Sequence, residues 1–262
     1  MERRKFDEIL NTVENKSRYI LILRKSSVIN NKKIRNLNIR QKGYFMMVEK
    51  YDSDNYRVLL DKRWSLENLN DFSRLYLQNY AFLYCLENNK NNLRAVTLAS
   101  ELNEYKLRDG LTYVNIYSLF VRHVPDKERP KVRAISYASP GFIELILNYE
   151  IAIKIALSIA AFIKGLTATA ETYNKLHNIY LELGRKRKEK QNNLLKLDAE
   201  NIKHTRKLND ELAKGLGFDS LDDMYKKIGD EEEVSKLLMA HYRRMKAMSK
   251  FVIEGKLKFP LE

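Results

Sequence analysis

The apolar positions of the chain concentrate between Lys131 and Leu183. Val132 to Tyr137 and Phe142 to Leu147 are short apolar runs, typical of two neighbouring β-strands. The Ser-Pro-Gly sequence at 139–141 separates them and predicts a tight turn or a bulge, because proline cannot donate to a strand ladder and glycine tolerates positive φ. We expect the rest of the chain to cover or present this stretch.

A helix follows, and its first half, Ile151 to Ile163, is the most hydrophobic part of the sequence. Ala152, Ala156 and Ala160 recur four residues apart on one face, and small residues at that spacing let another helix approach closely. Three interpretations follow. The helix is buried on all sides in the core of its own chain, the alanine face is the interface of a homo-oligomer, or the helix inserts into a membrane.

The membrane interpretation is the weakest of the three. A bilayer-spanning helix needs about 20 apolar residues, and here Glu150, Lys154 and Lys164 interrupt any such window. Each charge near the bilayer centre costs about 2.5–3.5 kcal/mol, far more than one apolar side chain returns. The sequence therefore disfavours a simple spanning helix.

The first part of the chain predicts several strands and one long helix. Ser65 is a good N-cap for a helix that runs to about Glu87, and Trp64 can pack on Leu69 as a hydrophobic staple. The aromatic residues of this helix recur at helical spacing, which is typical of core positions. The other predictions are a short helix at 6–13, strands at 18–23, 34–39 and 43–51, a hairpin of 44–51 with 56–60, a helix at 93–107 and β-structure at 111–124.

The last part predicts helices. Beyond Gly165 the pattern becomes amphipathic, and with a sparse apolar stripe from 194 to 212 it predicts a long helical hairpin that projects from the fold. The sequence Ser220 to Asp223 predicts a capping box. A final helix is expected over Glu231–Ile253, with Gly255 as its C-cap and a tail, 257–261, that can add a strand.

Composition supports a helix-rich protein. Glycine (9 residues) and proline (4 residues) are scarce, which favours long helices over turns. We therefore predict an α+β fold, with a mostly antiparallel sheet in residues 1–147 packed on helices. Residues 148–262 form the helical region, which contains the apolar central helix, the long basic hairpin and the C-terminal amphipathic helix.

The chain has a single cysteine, Cys85, so a disulfide within the chain is impossible and a reducing compartment is expected. No apolar segment follows the charged amino terminus in the manner of a signal peptide. Both observations favour a cytoplasmic location.

The charge balance suggests an anionic partner. Lysine and arginine number 48 against 34 acidic residues, a net charge of +14, which attracts polyanions non-specifically. The basic run at 185–190 can contact phosphates, although such a run is more often a solvated helix face. Residues 32–42 and 243–246 also contribute to the basic surface. The candidate nucleic-acid contacts are Arg185, Lys186, Arg187, Lys188, Lys190, Arg243 and Arg244.

Motifs for chemistry are missing from the sequence. It has no phosphate-cradling glycine loop, no Cys/His metal set and no Gly-x-Ser-x-Gly elbow, so we predict no cofactor and favour a non-enzymatic protein. A nuclease needs clustered carboxylates with a lysine. Whether scattered carboxylates such as Glu144 and Glu150 assemble into an active site stays open, and a Glu144 that points outward on an edge strand is the simpler interpretation.

The run from Val132 to Glu144, followed by the apolar helix and a charged helical segment, resembles a pattern in bacterial proteins that look like components of phage-defence or other conflict systems. The resemblance covers residues 131–190, about a fifth of the chain. It carries no catalytic residues, so none is transferred. It implies a bacterial, non-enzymatic module that senses, scaffolds or assembles beside an effector.

The leading hypothesis is therefore an oligomerising interaction component of a bacterial defence-type system, a homo-oligomer with a possible effector protein as partner. The alternative is a nucleic-acid-binding protein that uses the basic helical patches. A membrane-acting effector that uses residues 151–163 is the third hypothesis.

Overall fold

A computed structural model describes residues 55–87, 100–101, 116–138, 140–192 and 195–261. They form an α+β fold, as predicted, with a four-stranded antiparallel sheet and a helical carboxy-terminal half. The elements are β1 (Asn55–Leu60), α1 (Leu66–Glu87), α2 (Ile116–His123), β2 (Lys131–Ser136), β3 (Gly141–Ile146), α3 (Tyr149–Lys164), α4 (Leu166–Glu189), α5 (Ala199–Gly215), α6 (Asp222–Ile228), α7 (Glu231–Ile253) and β4 (Leu257–Lys258).

Several predictions lie outside the described residues. These are the elements before residue 55, including the hairpin partner of 56–60, and most of the helix at 93–107, of which only 100–101 is described, as helix. The boundary between 147 and 148 stays a prediction about domains. In the structure, elements from both sides of it share one hydrophobic core.

The sheet has the strand order β2-β3-β1-β4. The strands predicted on either side of 139–141 are β2 and β3, and the predicted carboxy-terminal strand is β4, which pairs with β1. The chain reverses direction between Ser136 and Gly141, in agreement with the turn alternative of the prediction, and a separate bulge lies in β2 between Val132 and Ala134. Side chains alternate along β1, so that Val58 is buried under the helices and Arg57 is exposed on the opposite face.

Helix α1 has the predicted bounds, and its cap is the predicted one, since Ser65 Oγ accepts a hydrogen bond of 3.1 Å from the backbone N–H of Asn68. Its aromatic side chains are core residues. Trp64, just before the helix, stacks on Phe251 of α7 and meets the edge of Phe72. These ring contacts attach the start of α1 to the last helix of the chain.

The β-structure predicted at 111–124 is wrong for residues 116–123, which form α2. Ile116, Leu119 and Phe120 are buried and stand at i, i+3 and i+4, so they share one face of a helix. That face packs on α1, where the Phe120 ring meets Phe82 edge-on at 5.4 Å between centroids. Ser118 and Arg122, four residues apart, form the exposed side of this helix. The sequence prediction failed because β-branched and aromatic residues dominate the run and favour strands.

The apolar helix is a core helix. Asn148 caps α3, and Ile155 and Phe162 are fully buried between α1 and α7. The long helix expected to continue from it instead breaks at Gly165. Among the described residues, no single helix has both the length and the apolar composition for crossing a bilayer; α3 and α4 meet those criteria only together, as a pair bent by 88°.

Helices α4 and α5 form the predicted hairpin, but it does not project. Leu176 and Tyr180 of α4 and Leu208 and Leu212 of α5 are buried, and both helices pack against α7. The amphipathic stripes therefore face the body of the protein.

The loop between α5 and α6 differs in detail from the expected capping box. Ser220 Oγ accepts from the N–H of Asp222 at 3.0 Å rather than from that of Asp223, because Leu221 is the N-cap and the helix begins at Asp222, one residue later than expected. Within the same loop Gly217 has a φ of +85° and lies against α3. A Cβ added to it would stand 2.9 Å from Ser158 Cα.

Helix α7 has the predicted bounds and forms the centre of the helical half. It contacts α1, α3, α4, α5, α6 and β4. His241 is fully buried in its middle and stacks on Phe82 at 4.1 Å between ring centroids. Neither of its ring nitrogens has a hydrogen-bond partner among the described residues, and burial lowers the pKa of His241 to about 3.

Substituting Gly217 tests the close approach of the α5–α6 loop to α3. Gly217→Ala should lower the free energy of unfolding by about 1–2 kcal/mol for the positive φ and by a further 1–3 kcal/mol, roughly, for the overlap with Ser158. Gly229→Ala is the matched control, since Gly229 has a φ of +74° but open space around its Cα. Urea denaturation measures both, and equal losses would show that the contact with Ser158 contributes nothing.

His241 should make stability depend on pH. The unfolded imidazole binds a proton below its ordinary pKa of about 6.5, whereas the folded one stays neutral down to about pH 3. The unfolded state therefore holds more protons between these values, and the contribution falls by about 2 kcal/mol from pH 8 to pH 5. His241→Leu should remove this part of the pH dependence in denaturant titrations, and parallel curves for the two proteins would contradict it.

Candidate interaction surface

The alanine face proposed as an oligomer interface lies inside the described fold. Ala152 and Ala156 are buried by the same chain, and Ala160 is half-buried. Helix α3 packs mainly on α1 and α7 and also contacts α4 and β1, so its alanine face is covered within the molecule. Ala152 and Ala156 have no free surface for another copy, and a homo-oligomer stays a prediction that needs a different interface.

The basic run at the end of α4 is divided between two roles. Arg185 is exposed and bonds along its own helix to Glu182 at 2.8 Å and Glu189 at 2.6 Å. Lys186 lies 4.0 Å from Glu182, and Lys188 and Lys190 are exposed. These side chains form a solvated helix end whose charge is partly balanced by the acidic residues of the same helix.

Arg187 points the other way, into the packing between α4 and α7. Its two terminal nitrogens donate to the carboxylate of Glu232 at 2.9 and 2.8 Å, and its Nε donates to the carbonyl of Leu195 at 2.8 Å. Glu232 also bonds to Lys236, which is buried, at 2.7 Å. Burial by itself raises the pKa of Glu232, but the hydrogen bonds from Arg187 and Lys236 outweigh it and lower the pKa. Arg187 therefore has a structural role, because it joins α4 to α7.

The predicted basic residues of α7 face other partners. The guanidinium of Arg244 lies 4.7 Å from the centre of the Tyr117 ring, and Arg243 donates to the Tyr173 hydroxyl at 3.4 Å. Arg243 lies three turns beyond Glu232, about 16 Å along α7. The structure thus does not bring the predicted nucleic-acid contacts together on one surface.

Glu144 and Glu150, the two carboxylates considered for catalysis, lie in different surroundings. Glu144 points outward from the sheet, as the simpler interpretation held, but β3 is an internal strand and not the expected edge strand. Its carboxylate lies 3.0 Å from Arg57 and 3.8 Å from Arg133. Glu150 is exposed in the first turn of α3. Among the residues that the structure describes, no group of three His, Cys, Asp or Glu side chains could hold a metal ion.

A surface that the sequence did not reveal lies along β2. This strand stands at the end of the sheet and pairs only with β3 within the described residues. Val132 and Ile135 are opposite Leu145 and Ile143, whose side chains are buried under the helices. Directly opposite residues point to the same face of a sheet, yet Val132 is 57% and Ile135 is 56% exposed. We call this feature the β2 edge: the backbone side of 131–136 that pairs with no described strand, with Val132 and Ile135 beside it.

The β2 edge is exposed because the helical layer ends at β3. Tyr137, at the end of the strand, is also exposed. An unpaired strand edge offers a row of backbone donors and acceptors, and apolar side chains beside it make it a site for association. The sequence predicted the strand itself, but alternation within one strand cannot show which strand lies last in the sheet.

Comparisons with known proteins give no relative. No family model matches the chain, and neither the curated proteins nor the solved structures contain a match.

The difference in role between Arg187 and Arg185 can be measured. Arg187→Gln should lower the free energy of unfolding by about 1–2 kcal/mol, because it leaves the half-buried Glu232 without its bidentate partner. Arg185→Gln removes the same charge two residues away and should change stability little. The double mutant Arg187→Gln with Glu232→Gln should lose less than the sum of the single losses. Additive losses in urea denaturation would show that the pair is not coupled.

Proposed function

We propose that the protein is a non-enzymatic interaction component that binds an extended segment of a partner protein along the β2 edge. The observation that carries the proposal is the exposure of Val132 and Ile135 on the face of the sheet that is buried everywhere else. A strand added beside β2 would satisfy its free backbone groups and cover these two side chains. Backbone hydrogen bonds supply affinity in such complexes, and the alternating side chains supply specificity.

The charges of β2 define the chemistry of the partner. Lys131 and Arg133 are exposed and the strand itself has no acidic residue. The nearest carboxylate, Glu144 on β3, is already held by Arg57 and Arg133. The fitting partner is therefore an extended segment in which apolar residues alternate with Asp or Glu.

The same charges disfavour a second copy as the occupant. Pairing two β2 strands would bring Lys131 and Arg133 of both copies to one short interface, and like charges close together oppose cross-strand pairing. A partner of opposite charge avoids this cost. Homo-oligomerisation, predicted from the sequence, is thus an alternative outcome for the same edge.

The resemblance to defence-system components supplies the biological setting of the proposal. The resembling run, Val132–Glu144, spans β2 and part of β3 and so includes the β2 edge. On this basis we propose a cytoplasmic bacterial module whose partner is an effector or sensor protein. The setting depends on the sequence resemblance, whereas the binding mode depends on the exposed strand.

Peptide binding tests the proposal. The probe is a fluorescein-labelled eight-residue peptide in which valine alternates with glutamate, and fluorescence anisotropy measures its binding to the full chain. Ile135→Asp should weaken binding about tenfold or more, since it removes an apolar contact and repels the acidic probe. The matched control is Leu181→Asp on α4, because Leu181 is 51% exposed on a helix that packs against α5 and α7. It should bind like wild type.

Two further peptides separate the contribution of the backbone hydrogen bonds from that of the charge. The same peptide with methylated backbone nitrogens should bind weakly because it cannot donate to β2, and a peptide with lysine in place of glutamate should bind weakly because of its charge. Equal binding of all three peptides, or of Ile135→Asp and wild type, overturns the proposal. Light scattering that shows a dimer abolished by Ile135→Asp would overturn it in favour of a second copy.

A further inference from the structure

The outer face of the sheet, opposite the helices, carries a second surface. It includes Arg57 and Leu59 of β1, Phe142 and Glu144 of β3, and Lys258 of β4, because Leu59 is opposite both Phe142 and Lys258, and Arg57 is opposite Glu144. Arg57 is 60% exposed at its side chain, and Lys258 is exposed. The inner neighbours of these residues are buried, so the sheet has one covered and one open face.

The open face is strongly basic. Arg57, Lys131, Arg133 and Lys258 project from the strands, and Glu144 is the one acidic side chain on these strands among the described residues. Glu144 is mostly covered and lies between Arg57 at 3.0 Å and Arg133 at 3.8 Å. It bonds to Arg57 and partly balances the charge of Arg133, and the face keeps an excess of positive charge.

The aromatic ring of Phe142 lies among these charged side chains. The guanidinium carbon of Arg57 is 4.8 Å from the centre of the Phe142 ring, and Arg57 Nε donates to Glu144. These two contacts fix the orientation of the planar Arg57 guanidinium. Nucleobases stack on aromatic rings and on guanidinium planes, while cations contact the phosphates between them.

We propose that the outer face of the sheet binds single-stranded nucleic acid. A base stacks over Arg57 and Phe142, and the phosphates on either side contact Arg133, Lys131 and Lys258. A duplex cannot present the face of a base, and an anionic membrane has no flat group to stack, so the fixed Arg57–Phe142 pair favours a single strand. This site differs from the helix end that the sequence suggested. It is argued from the Arg57–Phe142 pair, an observation separate from the β2 edge, although Lys131 and Arg133 belong to both surfaces.

The test uses the full chain and a fluorescein-labelled ten-nucleotide RNA in anisotropy titrations at several salt concentrations. Inorganic polyphosphate of similar charge is the competitor without bases. Lys258→Gln should reduce the slope of log affinity against log salt concentration by about 0.7, the value expected for one lost phosphate contact to a single strand. Arg57→Lys keeps the charge but loses the plane, and Phe142→Leu keeps the volume but loses the ring. Each should weaken RNA binding about tenfold and leave polyphosphate binding unchanged.

Lys188→Gln is the matched control, because it removes one exposed positive charge from the helix end. It should weaken RNA binding less than Lys258→Gln does. Circular dichroism confirms that each variant is folded. No RNA binding by wild type at about 50 mM salt, equal effects of Lys188→Gln and Lys258→Gln, or a loss of polyphosphate binding in Phe142→Leu overturns the proposal. Stronger binding to phosphatidylglycerol vesicles than to RNA, sensitive to Phe142→Leu, overturns it in favour of a lipid surface.

Discussion

Ten consecutive residues of α7, Glu233 to Tyr242, are buried, so this helix is enclosed on every side. Enclosing it requires helices α1, α3, α4 and α5 around it, and the polar residues within it must find internal partners or remain neutral. Lys236 bonds to Glu232, which also binds Arg187 of α4, whereas His241 stays neutral against Phe82. The arrangement of the described helices follows from covering this one element.

The sheet obeys a different constraint. Its inner face is covered over β1 and β3, but the helices around α7 do not reach β2, and the outer face is covered by no described element. Both proposed surfaces follow from this incomplete coverage. The β2 edge combines apolar side chains with backbone groups that no described strand pairs, and the outer face combines cations with an aromatic ring. This difference is why we propose different ligands for them, an extended acidic segment for the edge and a single nucleic-acid strand for the outer face.

The two surfaces also share charges. Lys131 and Arg133 lie at the β2 edge and contribute to the positive potential of the outer face. An acidic partner strand would neutralise part of that potential. If both proposals hold, partner binding and nucleic-acid binding should weaken each other, because electrostatic coupling between two sites is reciprocal. Such a module would report the presence of one ligand through the release of the other.

The sequence by itself determined the elements whose signals are local. The bounds of α7, the Ser65 cap of α1 and the strands β2 and β3 follow from capping residues and short apolar runs, which act within one turn or strand. Tertiary structure decided what depends on distant neighbours. Arg187 looked like a phosphate contact until Glu232, 45 positions away, accepted its hydrogen bonds. Residues 116–123 became a helix because α1 covers one face of them. The burial of the α3 alanines and the exposure of Val132 have the same cause. Which side chains are buried depends on which elements pack together, and local residue spacing does not encode that packing.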